Sequence, residues 1–464
     1  MYYYLIAIFS LIGYILYKCY IYPLYLSPLS KLPGPPVSNL ILGHYTSILN
    51  NKQGETFTHL IEKYGGIFRY HVLLNKPYLS ISDQKLVQQI LIIRAYEFPK
   101  FFLNKILTKE LVGESISFTQ GDAHKRQRKM MNPSFSIAAV KEMIPLLVQA
   151  GHKLKDNWMK QFANKKEERI TITELIPKIT LDIIGLVGFN YEFNSTTTDS
   201  ELARAYHSLV SGGADVVSPL LIELISYFPF IRNIPTDFAK QRWDAIKRIN
   251  NISNQLVADK KNATIRGKDF LSLLVQANEG LPVDEQLTHD ELIGLVMTIL
   301  FAGHETTSTS LTWSLYYLAK NPDIQDRLRK EILEVFTDRN GFPTFDEIDH
   351  LKYLDCGTPL MIPIYAIHHD PLIWGDDAER FNPSRWLDPE VKSKITNCNY
   401  LPFGAGSRSC LGMRMAYSEL KIFLSIIIRN FEFRLVEGFT FKKITFGFTK
   451  PVPGMDLFVS KVNC

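Results

Sequence analysis

Apolar positions along this chain fall into three kinds of run. Residues 1–17, MYYYLIAIFSLIGYILY, carry no charge, and beyond Lys18 the apolar character resumes through Cys19, Tyr20, Ile21 and Tyr22. A run of that length predicts a tilted membrane-spanning helix with its tyrosines at the interface. Between Ile67 and Ile81 apolar residues alternate around Asn75-Lys76-Pro77, which predicts a short β-hairpin. Helical spacing dominates from there on. Gly121-Asp122-Ala123-His124 opens a basic helix, HKRQRK, that should stop at Asn132-Pro133. Thr288-His289-Asp290-Glu291 reads as a capping box at the head of a helix reaching about Lys320. Asn321-Pro322 ends it, and a charged amphipathic helix follows from Asp323 to Phe336. The pattern is mainly α with a small β region.

Composition narrows the class. With 464 residues, 46% hydrophobic and 21% charged, the chain has the material for a large core. Past residue 37 no flexible linker or charge block divides it, so the expected organisation is an anchor over 1–22, a linker with a stiff hinge (Leu32-Pro33-Gly34-Pro35-Pro36) over 23–36, and one large domain over 37–464. A cleaved signal peptide is the rival for the first segment, but it lacks a basic start and a small-residue cleavage site. Lys18 and Lys31 follow the span with no positive residue before it, which places the large domain in the cytoplasm. The formal charge of +5 is small for this length and does not indicate nucleic-acid binding. Five cysteines without CxxC spacing argue against a disulfide framework or a structural zinc site and fit a reducing compartment.

Candidate chemistry concentrates in Phe403–Gly412, FGAGSRSCLG. Gly404 and Gly406 allow positive φ and a close approach of backbone to a flat ligand. Cys410 presents a sulfur whose thiolate form a metal and inward-pointing N–H groups would favour. If that metal is haem iron, Arg408 can pair with a propionate, Gly412 lets the next helix pack on the macrocycle, and Phe403 keeps water from the sulfur. A second string, Ala302-Gly303-His304-Glu305-Thr306-Thr307, puts a glycine and β-branched residues inside the long helix, which marks either a kink or a functional site. In the basic helix His124 and Arg128 lie four apart on one face. That face is either simply solvated or a second pair of propionate ligands. Ala214–Ile234 is apolar, with Glu223 its one carboxylate, and reads either as core or as a pocket lid.

The F-G-x-G-x-R-x-C-x-G string resembles the haem-ligand signature of the cytochrome P450 family at every defined position. The resemblance extends over nearly the whole chain. It implies a haem-thiolate fold with haem b (iron protoporphyrin IX) held by Cys410. It further implies that Thr306 holds a water by its hydroxyl, that Glu305 relays protons from solvent, and that Arg128, His124 and Arg408 anchor the propionates. The family often has tryptophan where this chain has His124. His304 receives no role. Implied partners are NADPH-cytochrome P450 reductase, with cytochrome b5 as a second donor, membrane lipid, and a lipophilic small-molecule substrate oxygenated at the endoplasmic reticulum membrane. A haem-thiolate isomerase or dehydratase that needs no reductase is the alternative enzyme.

One part of the family pattern is missing. Asp377–Trp386 matches the family's loop before the cysteine signature, and its Arg385 normally pairs with a Glu-x-x-Arg on a preceding helix. The one Glu-x-x-Arg in this chain is Glu201 to Arg204, far too early. The text breaks at Cys356–Gly357, where a helix and hairpin of roughly thirty residues are expected to be absent. The expected consequence is an unpaired Arg385, destabilising by about 3–5 kcal/mol if buried. A skipped exon or a gene-model error would produce such a chain, and a non-catalytic product that binds haem poorly is the alternative to the haem-thiolate monooxygenase that the resemblance implies.

Overall fold

The computed structural model describes residues 2–45, 47, 55–98, 112–162, 165–196, 201–202, 204–206, 208, 224–225, 228, 230–231, 234–264, 267–335, 364–446 and 448–462. The Cys356–Gly357 junction and most of the Ala214–Ile234 stretch lie outside them. The chain divides into two compact units.

The first unit comprises Met1–Phe98, Leu360–Asn382 and Asp388–Ser409. Its first helix, α1 (Tyr2–Leu16), is exposed along its whole length. It continues as a wider π-helical winding over Tyr17–Leu26, where Pro23 has no N–H to donate, and a 3-10 turn over Pro28–Lys31. The apolar span Tyr2–Lys31 has a mean hydropathy of 1.7 and is long enough to cross a bilayer. The proline segment behind it is tied down. Arg69 donates its backbone N–H to the Pro33 carbonyl at 2.9 Å and its Nε to that of Leu32 at 3.1 Å. The expected hairpin is present as β1 (Ile67–His71) against β2 (Pro77–Ile81), antiparallel from Ile67↔Ile81 to His71↔Pro77. Helix α2 (Glu55–Tyr64) packs on β1. Val87, Ile364, Cys398 and Leu401 form the unit's apolar cluster, with Leu91, Ile92 and Ala405 against it.

The second unit comprises Pro99–Pro359, Pro383–Leu387 and Cys410–Cys464. In chain order its main elements are α3 (Gly121–Met131), α4 (Ile137–Gln161), β3 (Glu167–Thr171), α5 (Ile172–Phe189), α6 (Asp237–Asn262), α7 (Phe270–Glu279), α8 (His289–Lys320), α9 (Pro322–Val335), α10 (Met413–Asn430), β4 (Phe431–Leu435), β5 (Lys442–Phe446), β6 (Phe448–Val452) and β7 (Asp456–Lys461). Strands pair antiparallel in the order β3-β7-β4, and β5-β6 form a separate ribbon. The unit is built around α8, which is buried on every side from Glu291 to Leu300 and packs against α5, α6, α9, α10 and β4. Burial all round explains the near-continuous apolar sequence there.

The start of α8 follows the expected box. The Glu291 N–H donates to Thr288 Oγ1 at 3.2 Å, and Glu291 Oε2 accepts from the Thr288 N–H at 2.9 Å. Its other oxygen accepts from Arg126 Nη2 at 2.6 Å and Gln127 Nε2 at 3.1 Å, so one carboxylate caps α8 and ties α3 to it. Arg126 therefore belongs to an internal tie, not to a solvated basic face. Arg385 corrects another expectation: it is half-buried and makes an interaction with the surrounding protein, so it is not an orphaned buried charge.

Candidate active site

Cys410 is the first residue of the second unit's last segment, one turn ahead of α10. The residue is exposed, yet surrounding protein pushes its thiol pKa up; the Gly412 N–H and the Arg128 guanidinium act the other way. A donor and a cation that take effect once the proton leaves are what a thiolate ligand needs. A Cβ on Gly412 would sit 4.0 Å from Cys410 Sγ and 3.8 Å from Phe135 Cε1, ordinary contact. Among the described residues no protein atom requires glycine there.

The rest of the signature lies in the first unit. Gly404 and Gly406 have φ of +67° and +68°, as expected. The close approach differs from expectation. A Cβ on Gly406 would collide with the Leu91 carbonyl oxygen and lie 2.9 Å from Ile92 Cα, so this glycine admits the protein's own backbone. Arg408 donates Nη1 to the Phe98 carbonyl at 2.7 Å and lies over the Tyr96 ring at 5.6 Å. Its Nε is buried without a hydrogen-bond partner among the described residues, as is Ser407 Oγ beside it, which leaves two donors in the loop for a further acceptor. Phe403 is half-buried.

Helix α3 supplies the other expected ligands. His124 is buried and Arg128 half-buried, on the face that also buries Gln127 and Met131, whereas Lys125 and Lys129 are exposed. The sequence pair four apart is thus a real inward face.

In the middle of α8 the burial opens. Within Glu291–Ala319, Ala302 is exposed while Phe301, Gly303, Thr306 and Thr309 are partly accessible. Ala302, Thr306 and Thr309 follow helical spacing and form one uncovered face. Thr306 Oγ1 donates to the Ala302 carbonyl at 2.6 Å, which leaves its lone pairs toward the opening; Thr309 Oγ1 is buried without a partner. Gly303 serves packing, because a Cβ there would lie 2.6 Å from Ile184 Cδ1 of α5 and 2.9 Å from its Cγ1.

Glu305 faces inward, 2% exposed, with His304 3% exposed beside it. Glu305 Oε2 meets Lys450 Nζ of β6 at 2.6 Å, and Oε1 lies 3.5 Å from His304 Nδ1. The Tyr206 ring packs 5.4 Å from that of His304, and its hydroxyl has no partner. Burial raises the Tyr206 phenol pKa well beyond its ordinary value, reinforced by Glu305; burial also lowers that of His304, helped by Lys450 and opposed by Glu305. His304 is therefore a buried neutral group next to the acid, a placement that no local sequence pattern signals. Lys450 and Tyr206 had no sequence signal, being distant in the chain; Thr309 had one, three residues after Thr306.

These residues fit haem. In the second unit an exposed cysteine has an N–H and a cation beside it, and Thr309 keeps a hydroxyl with no partner among the described residues; taken by itself, the first unit keeps such a donor at Arg408. Among the described residues no three His, Cys, Asp or Glu side chains converge, so iron at Cys410 would take its remaining ligands from a prosthetic group.

Comparison with known proteins agrees. Residues 33–356 and 354–458 match the family model described as Cytochrome P450. Cytochrome P450 monooxygenase 128 of Postia placenta is 30% identical over 480 aligned positions, covering 89% of this chain and 87% of the relative. Cytochrome P450 monooxygenase 205 of the same fungus is 30% identical, covering 88% and 87%. Cytochrome P450 monooxygenase claQ of Ampulloclitocybe clavipes is 28% identical, covering 87% and 86%.

Proposed function

Because the chain belongs to the cytochrome P450 family, we propose that it is a membrane-anchored haem-thiolate monooxygenase inserting one oxygen atom of O2 into a lipophilic small molecule and reducing the other to water. The observation that carries this reading is Cys410, an exposed residue whose thiol is flanked by the Gly412 N–H and Arg128. Haem held there supplies the iron that activates dioxygen. The chain's own residues do the rest. Arg128, His124 and Arg408 hold the propionates; the Ala302–Thr306–Thr309 face leaves room beside the iron; Thr306 holds water by its free lone pairs; and Glu305 brings protons to it. Electrons come from NADPH through a cytochrome P450 reductase, with cytochrome b5 as a second donor, docking on a basic face to which the exposed Lys125 and Lys129 contribute. The exposed apolar α1, followed by Lys18 and Lys31, supports an endoplasmic-reticulum anchor with the remainder cytoplasmic. Phe228, Phe230 and Ile234, each at least 46% exposed, support entry of a lipophilic substrate.

A second reading has its own observation. The family match comes as two stretches meeting at residues 354–356, and the 480-position alignment to a relative is longer than the 464-residue chain. The first supports a segment missing near Cys356–Gly357 and the second supports missing residues without placing them, and with them a non-catalytic product of a skipped exon. One experiment separates the two. The full chain is expressed in microsomes and the reduced carbon-monoxide difference spectrum recorded. The strongly red-shifted Soret band of an iron–thiolate site is expected, and is expected to vanish with haem loss in Cys410→Ala. A chain that takes up no haem rejects the monooxygenase; haem retained in Cys410→Ala rejects the ligand.

A further inference from the structure

Arg408 closes a short 3-10 turn, Gly406–Arg408, and its side chain is held by the first unit's own residues. Nη1 donates to the Phe98 carbonyl at 2.7 Å, and the guanidinium lies over the Tyr96 ring at 5.6 Å. One bond in the plane and one covered face remove the rotations a free arginine would have. What is left is the edge formed by Nε and Nη2, on the side of the guanidinium away from Nη1. Among the described residues neither Nε nor Nη2 has a hydrogen-bond partner. Such an edge offers parallel N–H groups, the pair that a carboxylate accepts with both oxygens. We propose that Tyr96 and the Phe98 carbonyl form a seat that presets Arg408 as a carboxylate receptor, with Tyr96 as its positioning residue. That the carboxylate is a haem propionate rests on the haem-thiolate reading; the seat itself does not.

The seat lies about three hundred residues before the cysteine signature, in a stretch that no motif marks, and it is fixed in place. Ala95 is buried, and the turn after Arg94 is closed by the Glu97 N–H, which donates to the Arg94 carbonyl at 2.9 Å. Leu91 and Ile92, just ahead, lie against Gly406. Residues 91–98 therefore grip the turn at both ends, at Gly406 and at Arg408. The charge of Arg408 is also kept available. A carbonyl and a ring hold the guanidinium without neutralising it, and among the described residues no carboxylate lies within ion-pair distance of it. Glu97, which stands between the two residues of the seat, gives its carboxylate to Arg94 Nε at 2.9 Å. A neutral seat suits an anion receptor. A resident carboxylate would have to be displaced, whereas a carbonyl and an aromatic face keep their contacts while the anion takes the other edge, so the arginine is ordered before binding. Lysine could not do the same, because an ammonium has neither a flat face for Tyr96 nor a second edge.

Haem transfer tests it. The haem-loaded chain is mixed with an excess of an apoprotein that binds haem more tightly, and the rate of haem loss is read from the Soret band. Tyr96→Leu, which removes the ring, is expected to speed the loss about two- to fivefold, while Tyr96→Phe, which keeps it, stays near the wild-type rate. Arg408→Lys should speed it about tenfold. Adding Tyr96→Leu to Arg408→Lys should change nothing further, because the seat acts only through the arginine. With haem whose carboxylates are methyl esters, Tyr96→Leu should make no difference. Losses that multiply in the double variant, the same acceleration with the ester, or a Tyr96→Phe variant as fast as Tyr96→Leu would make Tyr96 merely a packing residue and overturn the seat. A wild-type chain that takes up no haem overturns the haem-thiolate reading instead. The seat is then decided without haem, by a double-mutant cycle of Tyr96→Leu and Arg408→Met read by urea unfolding. A coupling of about two- to fivefold in the folded-to-unfolded ratio is expected, and additive losses reject the seat.

Discussion

The two glycines of the cysteine loop share a backbone conformation and differ in surroundings. Gly404 has φ +67° and nothing nearer than 3.9 Å to an added Cβ, so Gly404→Ala carries only the cost of a left-handed residue, about 1–2 kcal/mol. Gly406 has φ +68°, and its Cβ would meet Ile92 Cα at 2.9 Å and collide with the Leu91 carbonyl. Backbone cannot rotate away as a side chain can. Gly406→Ala should therefore lose about 1–3 kcal/mol more than Gly404→Ala, measured by urea unfolding. Equal losses would mean that the 91–92 segment does not approach the loop. Sequence identified both glycines and their positive φ. It assigned the close approach to a flat ligand, because the Leu91 backbone is more than three hundred residues away and leaves no mark in the local string.

At the scale of elements, the carboxylate of Glu291 has two separable duties, the cap on α8 and the tie to α3. Thr288→Ala removes half of the capping box and is expected to lose about 1 kcal/mol. Arg126→Ala removes a charge-assisted hydrogen bond whose cation is 36% exposed, and a loss of about 1 kcal/mol is again expected. Glu291→Ala removes both and takes one of the two acceptors of Gln127 Nε2, leaving the Glu114 carbonyl at 3.3 Å, so roughly 2–3 kcal/mol should be lost by the same unfolding measurement. If Glu291→Ala costs no more than Thr288→Ala, the tie to α3 contributes nothing. The contrast shows what was legible. Capping boxes, proline stops and strand alternation act within a few residues, so the ends of α8, the start of α3 and the β1–β2 hairpin could be read directly. Cys410 and its glycines were legible because many requirements fall in ten consecutive residues. Arg126–Glu291, Glu305–Lys450 and Ile184 against Gly303 join elements far apart in sequence, and no local pattern encodes them. The same physics explains Arg385. Absence of a partner motif removes one partner, not every neighbour, and a half-buried arginine with five N–H donors can bond elsewhere.

Across the whole molecule pH should act in opposite directions on two buried histidines of the first unit and a buried carboxyl group of the second. In the first unit His71 is lowered to about 4, by burial and then by Arg69 and His44. His368 is lowered to about 4 by burial and then by His369, and it accepts the Leu401 N–H at 3.0 Å. Both are neutral when folded, so as pH falls from about 6.5 toward 4 the unfolded chain gains protons the folded unit refuses, and stability declines. In the second unit Glu419 of α10 is raised to about 8 by burial, with Oε1 unpartnered. It stays protonated when folded, so the unfolded chain ionises first as pH rises from about 4.5 to 8, and stability declines on that side. Unfolding followed by hydrogen exchange, corrected for intrinsic rates, should therefore show β1–β2 and residues 364–409 losing protection at about pH 5, and α10 losing it at about pH 8.5. Glu419→Gln removes the ionisable group while keeping its shape. The alkaline loss in α10 should disappear in that variant while the acid loss in the first unit remains; an alkaline loss that persists would assign it to another group.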